Sequence, residues 1–148
     1  MKRFVRNIMR YVSLIILLLA SIPVYAFNAI DGIRIWPAPE NTRIVFDLSN
    51  KPDYSYFSLT SPQRLVLDFK DTKNLVALKN LAANDKRIKK IRHSKAKNKQ
   101  STRLVLELEN KFKLTVFPLA PAGQYGHRLV IDLFDQQRAS QAAKKIPP

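Results

Sequence analysis

Few residues in this 148-residue chain have the types and spacing for acid–base or metal chemistry: the histidines His93 and His127, and the acids Glu107 and Glu109. A hydrolytic zinc centre takes three protein ligands and a carboxylate base. Two histidines in separate halves of the chain, without the H-E-x-x-H spacing, fall short of that count. His93 also stands among lysines and arginines, whose charge repels a metal ion, and His127 reads as a strand-edge residue. Glu107 and Glu109 lie two residues apart, on one face of a strand, and so imitate the carboxylate pair of a glycosidase. Glu107, however, belongs to a repeated series of acids, which points to a shared structural role. The chain has no cysteine, no glycine-rich phosphate loop and no serine nucleophile motif. The sequence therefore predicts no catalytic residue, no metal and no cofactor, and a fold held by burial alone.

The chemistry that remains is recognition by charge and by aromatic faces. The formal net charge is +15, and a dense run of it, from Lys86 and Arg87 through Lys89, Lys90, Arg92, Lys95, Lys97 and Lys99 to Arg103, falls within one predicted strand and the following loop. Such a patch concentrates anions and speeds their capture. Its plainer reading is a solvated charge run that serves solubility. Tyr54 and Tyr56 are expected on the opposite strand face from Phe57 and Leu59, with rings free for a sugar face. Trp36 and Tyr125 are further aromatic candidates, Trp36 being the better fit to a core because of its apolar area. The candidate binding residues are therefore Lys89, Lys90, Arg92, Lys95, Lys97, Tyr54 and Tyr56.

The elements that must position them follow from a hexapeptide that occurs four times: Arg43-Ile-Val-Phe-Asp-Leu48, Arg64-Leu-Val-Leu-Asp-Phe69, Arg103-Leu-Val-Leu-Glu-Leu108 and Arg128-Leu-Val-Ile-Asp-Leu133. Each copy is rich in β-branched and large apolar residues, and turn chemistry such as Ser61-Pro62 bounds them. Period two puts Arg43, Val45 and Asp47 on one face and Ile44, Phe46 and Leu48 on the other, and the same split recurs in every copy. The arginines Arg43, Arg64, Arg103 and Arg128 are expected to pair with the acids Asp47, Asp68, Glu107 and Asp132 across neighbouring strands, at roughly 0.2–1 kcal/mol per pair.

Ile33-Arg34-Ile35-Trp36 and Ile88-Lys-Lys-Ile91 each open a half of about four strands. The fold class predicted is all-β: a sandwich of two symmetry-related, roughly four-stranded sheets, one from each half. Leu75, Leu78 and Leu81 share a helical stripe, so residues 74–83 are expected to form a short connecting helix, with an irregular loop as the alternative.

The ends give an address. Lys2, Arg3, Arg6 and Arg10 precede the apolar run 12–20, which is shorter than the roughly 20 residues of a spanning helix, and Val24-Tyr25-Ala26 fits a cleavage site. Residues 1–26 read as a signal peptide of the general secretory route, cleaved after Ala26, with an uncleaved anchor as the alternative. The expected location is the periplasm, and the membrane is met through the transient leader. Residues 27–135 read as one domain and 136–148 as a flexible tail. Charge alone also suits nucleic acid, but the leader argues against that partner.

The repeated strands, the opening Ile33-Arg34-Ile35-Trp36-Pro37 with Thr42-Arg43, and the closing Gly126-His127-Arg128-Leu129-Val130-Ile131-Asp132-Leu133 resemble the AMIN domain over about residues 28–135. That domain stands at the N-terminus of periplasmic N-acetylmuramoyl-L-alanine amidases and in type IV pilus secretins. The resemblance implies a duplicated β-sandwich that binds peptidoglycan and recruits its enzyme to the division septum, without activity of its own. It also implies division or secretin envelope proteins as alternative partners. In those amidases a zinc-dependent catalytic domain follows a linker. Here the chain stops at Pro148, so a stand-alone binding protein and the N-terminal piece of an amidase are both expected readings.

Overall fold

The computed structural model describes residues 1–19 and 27–136. The expected cleavage point after Ala26 and nearly all of the expected tail lie outside those residues. Helix α1 (Lys2–Leu19) covers most of the segment expected to be a leader. Among the described residues no helix is long and apolar enough to cross a membrane.

Nine strands follow among the described residues: β1 (Asn28–Pro37), β2 (Asn41–Leu48), β3 (Tyr54–Leu59), β4 (Arg64–Phe69), β5 (Thr72–Asn74), β6 (Ile88–Ser94), β7 (Thr102–Leu108), β8 (Phe112–Leu119) and β9 (His127–Asp135). They form two sheets, one ordered β5-β1-β2-β9-β8 and the other β3-β4-β7-β6. The all-β sandwich is the observed class. Ile44, Phe46 and Leu48 face Leu65, Leu67 and Phe69 and their counterparts on β7 and β9 in one core. Each repeat hexapeptide supplies three inward apolar residues, as period two dictates.

The two sheets match under exchange of the two halves of the chain. Replacing β1, β2, β3 and β4 by β6, β7, β8 and β9 turns the order β1-β2-β9-β8 into β6-β7-β4-β3, which is the second sheet. Even the bulges correspond, one between Ile30 and Gly32 opposite β2 and one between Ile88 and Lys90 opposite β7. The halves do not each make a sheet, however. Each contributes one hairpin to each sheet, so every sheet is half first repeat and half second. A lone hairpin is marginal in water, and joining β2 to β9 and β4 to β7 gives each sheet four strands with a continuous apolar face.

Residues 75–87 form turns instead of the expected helix. Asn74 explains the start: its amide donates to the Val76 carbonyl at 2.7 Å and its oxygen accepts from the Val76 amide at 3.3 Å. This local side-chain bonding competes with the helical ladder. Asn80 then adopts φ 63°, which a right-handed helix cannot accommodate. Val76, Leu78 and Leu81 still pack against the core, so the apolar stripe is used without a helix. Strand β5, unanticipated, runs parallel to β1 and covers its edge.

Candidate ligand-binding surface

The outward faces of the two sheets carry the polar residues of the repeats. On one face the row across the sheet is Arg34, Val45, Val130 and Phe117; on the other it is Arg92, Val105, Val66 and Phe57. The four valines are 2–4% exposed although they point away from the core. Long arginine stems beside them shield such residues while keeping their charged heads wet.

Around each valine pair the acids are bonded in matched geometry. Arg43 makes two hydrogen bonds to Asp132, both 2.8 Å, and its counterpart Arg103 makes two to Asp68, at 2.6 and 2.7 Å. Arg34 grips Asp47 at 2.8 and 2.6 Å, and its counterpart Arg92 donates to Glu107 at 2.6 Å. The expected pairing of every repeat arginine with a repeat acid therefore holds for two of the four. Arg34 and Arg92, outside the hexapeptides, take the acids that Arg128 and Arg64 face in register. Arg64 and Arg128 form no salt bridge among the described residues. Instead Arg64 donates to the Pro62 carbonyl at 3.3 Å, and Arg128 donates to the Ala120 carbonyl at 3.4 Å while its Nε is buried without a partner.

These bonds set the protonation behaviour of the surface. The Arg103 hydrogen bonds hold the Asp68 carboxyl below its ordinary range against an opposing burial effect, and the Arg103 guanidinium is raised in return. The Arg92 hydrogen bond similarly depresses Glu107, with Lys90 and Arg64 adding their charge. Glu107 is thus a structural partner. The described residues do not fit a zinc site either: none gathers three or more His, Cys, Asp or Glu side chains. His93, on β6, approaches the Asn74 amide at 3.1 Å, while His127 lies in the other sheet.

The basic patch divides into parts with different partners. Arg87 is not on it at all: it is 1% exposed, with two 2.7 Å bonds to Asp135 and others to Thr42 Oγ1 and the carbonyls of Ala38 and Pro39. The Asp135 bonds raise its pKa further despite burial. Lys89 reaches Glu109 at 3.3 Å and Arg92 is held by Glu107, so both are partly neutralised. Lys90, Lys95 and Lys97 are exposed and form no salt bridge among the described residues. Lys89 and Lys90 border a depression of about 370 Å³ over the 78–83 turn. Lys95 and Lys97 stand instead on the loop after β6, with Lys99, His93 and Arg103, around a shallow depression of about 360 Å³ that no carboxylate lines.

Of the aromatic residues Tyr56 and Tyr125 are exposed as expected, whereas Tyr54 and Trp36 exchange the places expected for them. Tyr54 packs against the core. Tyr56 shares its inward row and is exposed because β3 is an edge, while Phe57 and Leu59 occupy the outer face. Trp36, expected in the core, is 48% exposed. The Arg34 guanidinium stands 4.9 Å from its ring centre and 5.6 Å from that of Tyr125, which Arg128 approaches at 5.2 Å. Among the described residues this cluster on the first sheet has no counterpart on the second, where Ser94 stands in the place of Trp36 and Arg103 lies 5.8 Å from the ring centre of Phe57. Its sequence signal was the alternation in Ile33-Arg34-Ile35-Trp36, which puts Trp36 on the face of Arg34.

The AMIN domain model matches residues 32–133, which include all of the repeat hexapeptides. The chain belongs to the AMIN domain family. Two curated relatives share the name N-acetylmuramoyl-L-alanine amidase AmiC. That of Escherichia coli O6:H1 is 32% identical over 123 residues, 80% of this chain and 29% of the relative. That of Neisseria meningitidis serogroup B is 33% identical over 105 residues, 68% of this chain and 25% of the relative. The chain thus spans between a quarter and a third of the length of these relatives. The valine rows and their flanking ion pairs are repeated on both outer faces of this domain. The lysine loop and the Trp36 cluster are what distinguish its two sides.

Proposed function

We propose that this AMIN domain is a non-catalytic peptidoglycan-binding module of the periplasm that serves a cell-wall amidase and carries it to the division septum. The observation that carries the reading is the carboxylate-free depression among Lys95, Lys97, Lys99, His93 and Arg103. Every repeat acid is already bonded to an arginine, Arg103 itself being taken by Asp68, so the three lysines remain available to an outside anion. Stem-peptide carboxylates of peptidoglycan are anions that such a cluster of lysines would attract. The Trp36 and Tyr125 rings on the opposite sheet suit the apolar faces of sugars. The leader-like N-terminus supports export, and the amidase names of the relatives support the enzyme that is served.

Soluble muropeptides test this reading directly. Titration of muropeptides with free stem carboxylates should shift amide signals of residues 93–103, and muropeptides with amidated carboxylates should bind at least tenfold more weakly. Equal binding of both would remove the lysine loop from the reading, and absence of binding by either would remove peptidoglycan.

A second reading, the N-terminal part of an amidase whose catalytic domain lies outside this chain, is favoured by the share of the relatives that is matched. A metal-dependent hydrolase domain encoded in frame or immediately downstream would support it.

A further inference from the structure

Edge strands expose unpaired backbone groups, and proteins usually blunt them with a charge, a proline or a bulge. Three of the four edge strands here follow that practice: β5 carries Lys73, β6 carries Lys89 and Lys90 at its bulge, and β8 carries Lys113 and Pro118. Strand β3, Tyr-Ser-Tyr-Phe-Ser-Leu, has none of these. Its Tyr56, Phe57 and Leu59 are exposed.

The duplication supplies an internal control. β3 and β8 are counterparts, each the outer neighbour of a repeat strand, with Leu59 opposite Arg64 and Leu119 opposite Arg128. Ser58 therefore corresponds to Pro118. The Lys70 amide donates to the Asp53 carbonyl at 2.9 Å. Antiparallel ladders alternate, so Ser55, Phe57 and Leu59 turn their backbone groups to β4, and Tyr54, Tyr56 and Ser58 turn theirs outward. At position 118 proline deletes the outward N–H; at position 58 that donor is kept.

We propose that β3 is the docking edge for an extended, acidic segment of a partner protein, which adds to this sheet as a further strand. Charge selects the occupant. Arg64, without a salt bridge among the described residues, faces Leu59 at one end of β3. Lys97, likewise without one, lines a depression of about 230 Å³ with Tyr54 and Ser55 at the other end, where the two carboxylates that share the lining are already engaged, Asp53 by Lys70 at 3.6 Å and Asp68 by Arg103 at 2.6 Å. Five residue steps separate the two ends of β3, about 17 Å along the strand. A second copy would bring the same cations together edge to edge, and the chain already carries +15. A segment with apolar residues alternating with carboxylates meets both the exposed rings and the two cations, and backbone bonding to the edge supplies the affinity. This inference does not rest on wall binding.

The test uses protein purified from cells expressing the full chain, with two labelled ten-residue probes, Val and Thr alternating with Glu, and the same apolar residues alternating with Lys. The Glu probe should bind by fluorescence anisotropy at least tenfold more tightly than the Lys probe and slow hydrogen exchange at Tyr54 and Tyr56. Ser58→Pro should weaken it tenfold or more while Ser58→Ala does not. Because Ser58→Pro could disturb the strand itself, Glu probes N-methylated at odd or at even residues provide a second arm: one phase should lose binding and the other keep it. Equal binding of both methylated phases, equal binding of the Lys probe, or absence of binding would overturn the proposal. So would a dimer in sedimentation equilibrium that Ser58→Pro dissolves, since the occupant would then be a second copy.

Discussion

Single side chains separate the stabilising charges from those free to bind. Arg87 ties the start of β6 to the end of β9 and to the β1–β2 turn, and Asp85 braces it by accepting from the amides of residues 87 and 88 and from Thr42 Oγ1. Removing the guanidinium empties a buried site and takes its bonds from Asp135, Thr42 Oγ1 and the Ala38 and Pro39 carbonyls. Arg87→Ala should therefore cost about 1.5–3 kcal/mol in urea unfolding, and Arg87→Lys should recover little, because an ammonium cannot reproduce the planar two-bond grip. Asp68 and Glu107 set the acid limit. Both carboxyls are depressed in the folded state, so their contribution is full above roughly pH 4 and is lost as pH falls through their lower folded values. Asp68→Asn should lower stability at neutral pH and flatten its decline between pH 4 and 2, as read by urea midpoints across that range. An unchanged slope would contradict the role given to the Arg103 bonds.

At the level of elements, the strands were legible because their apolar residues alternate and turn residues bracket them. Faces were legible where both neighbours are strands, as with Ile44, Phe46 and Leu48. They were misread at β3, where Phe57 and Leu59 invite burial but Tyr54 occupies the inward row. Trp36 was misjudged for a related reason: apolar area favours burial, whereas alternation with Ile33 and Ile35 decides the face. The helix expected over residues 74–83 failed because leucine spacing carries no information about Asn74 bonding to Val76 or the positive φ of Asn80. Strand partners were beyond the repeat as well. A hexapeptide specifies which face is buried, but pairing β2 with β9 and β4 with β7 depends on both halves being present. Fragment 27–85 should consequently remain unfolded by circular dichroism and amide dispersion, and regain sheet structure when 86–136 is supplied. A fragment that folded alone would contradict the interleaved arrangement.

Over the whole molecule, duplication has produced two outer faces with the same skeleton and different equipment. Each has a valine pair flanked by arginine–carboxylate bonds, so neither presents a net acidic surface. One adds Trp36 and Tyr125, the other the lysine loop. For the candidate surface the sequence supplied the cluster of cations, while the division among buried Arg87, paired Lys89 and Arg92, and available Lys90, Lys95 and Lys97 required three dimensions. That division defines the most direct measurement: co-sedimentation with purified sacculi across a salt series, wild type beside a variant with Lys90, Lys95 and Lys97 changed to Gln, in protein purified from cells expressing the full chain. Wild type should pellet at low salt and be released as screening shortens from about 10 Å at 0.1 M toward 3 Å at 1 M, while the variant stays largely in the supernatant throughout. Pelleting by the variant equal to wild type, or failure of both to pellet at low salt, would contradict peptidoglycan binding through these lysines.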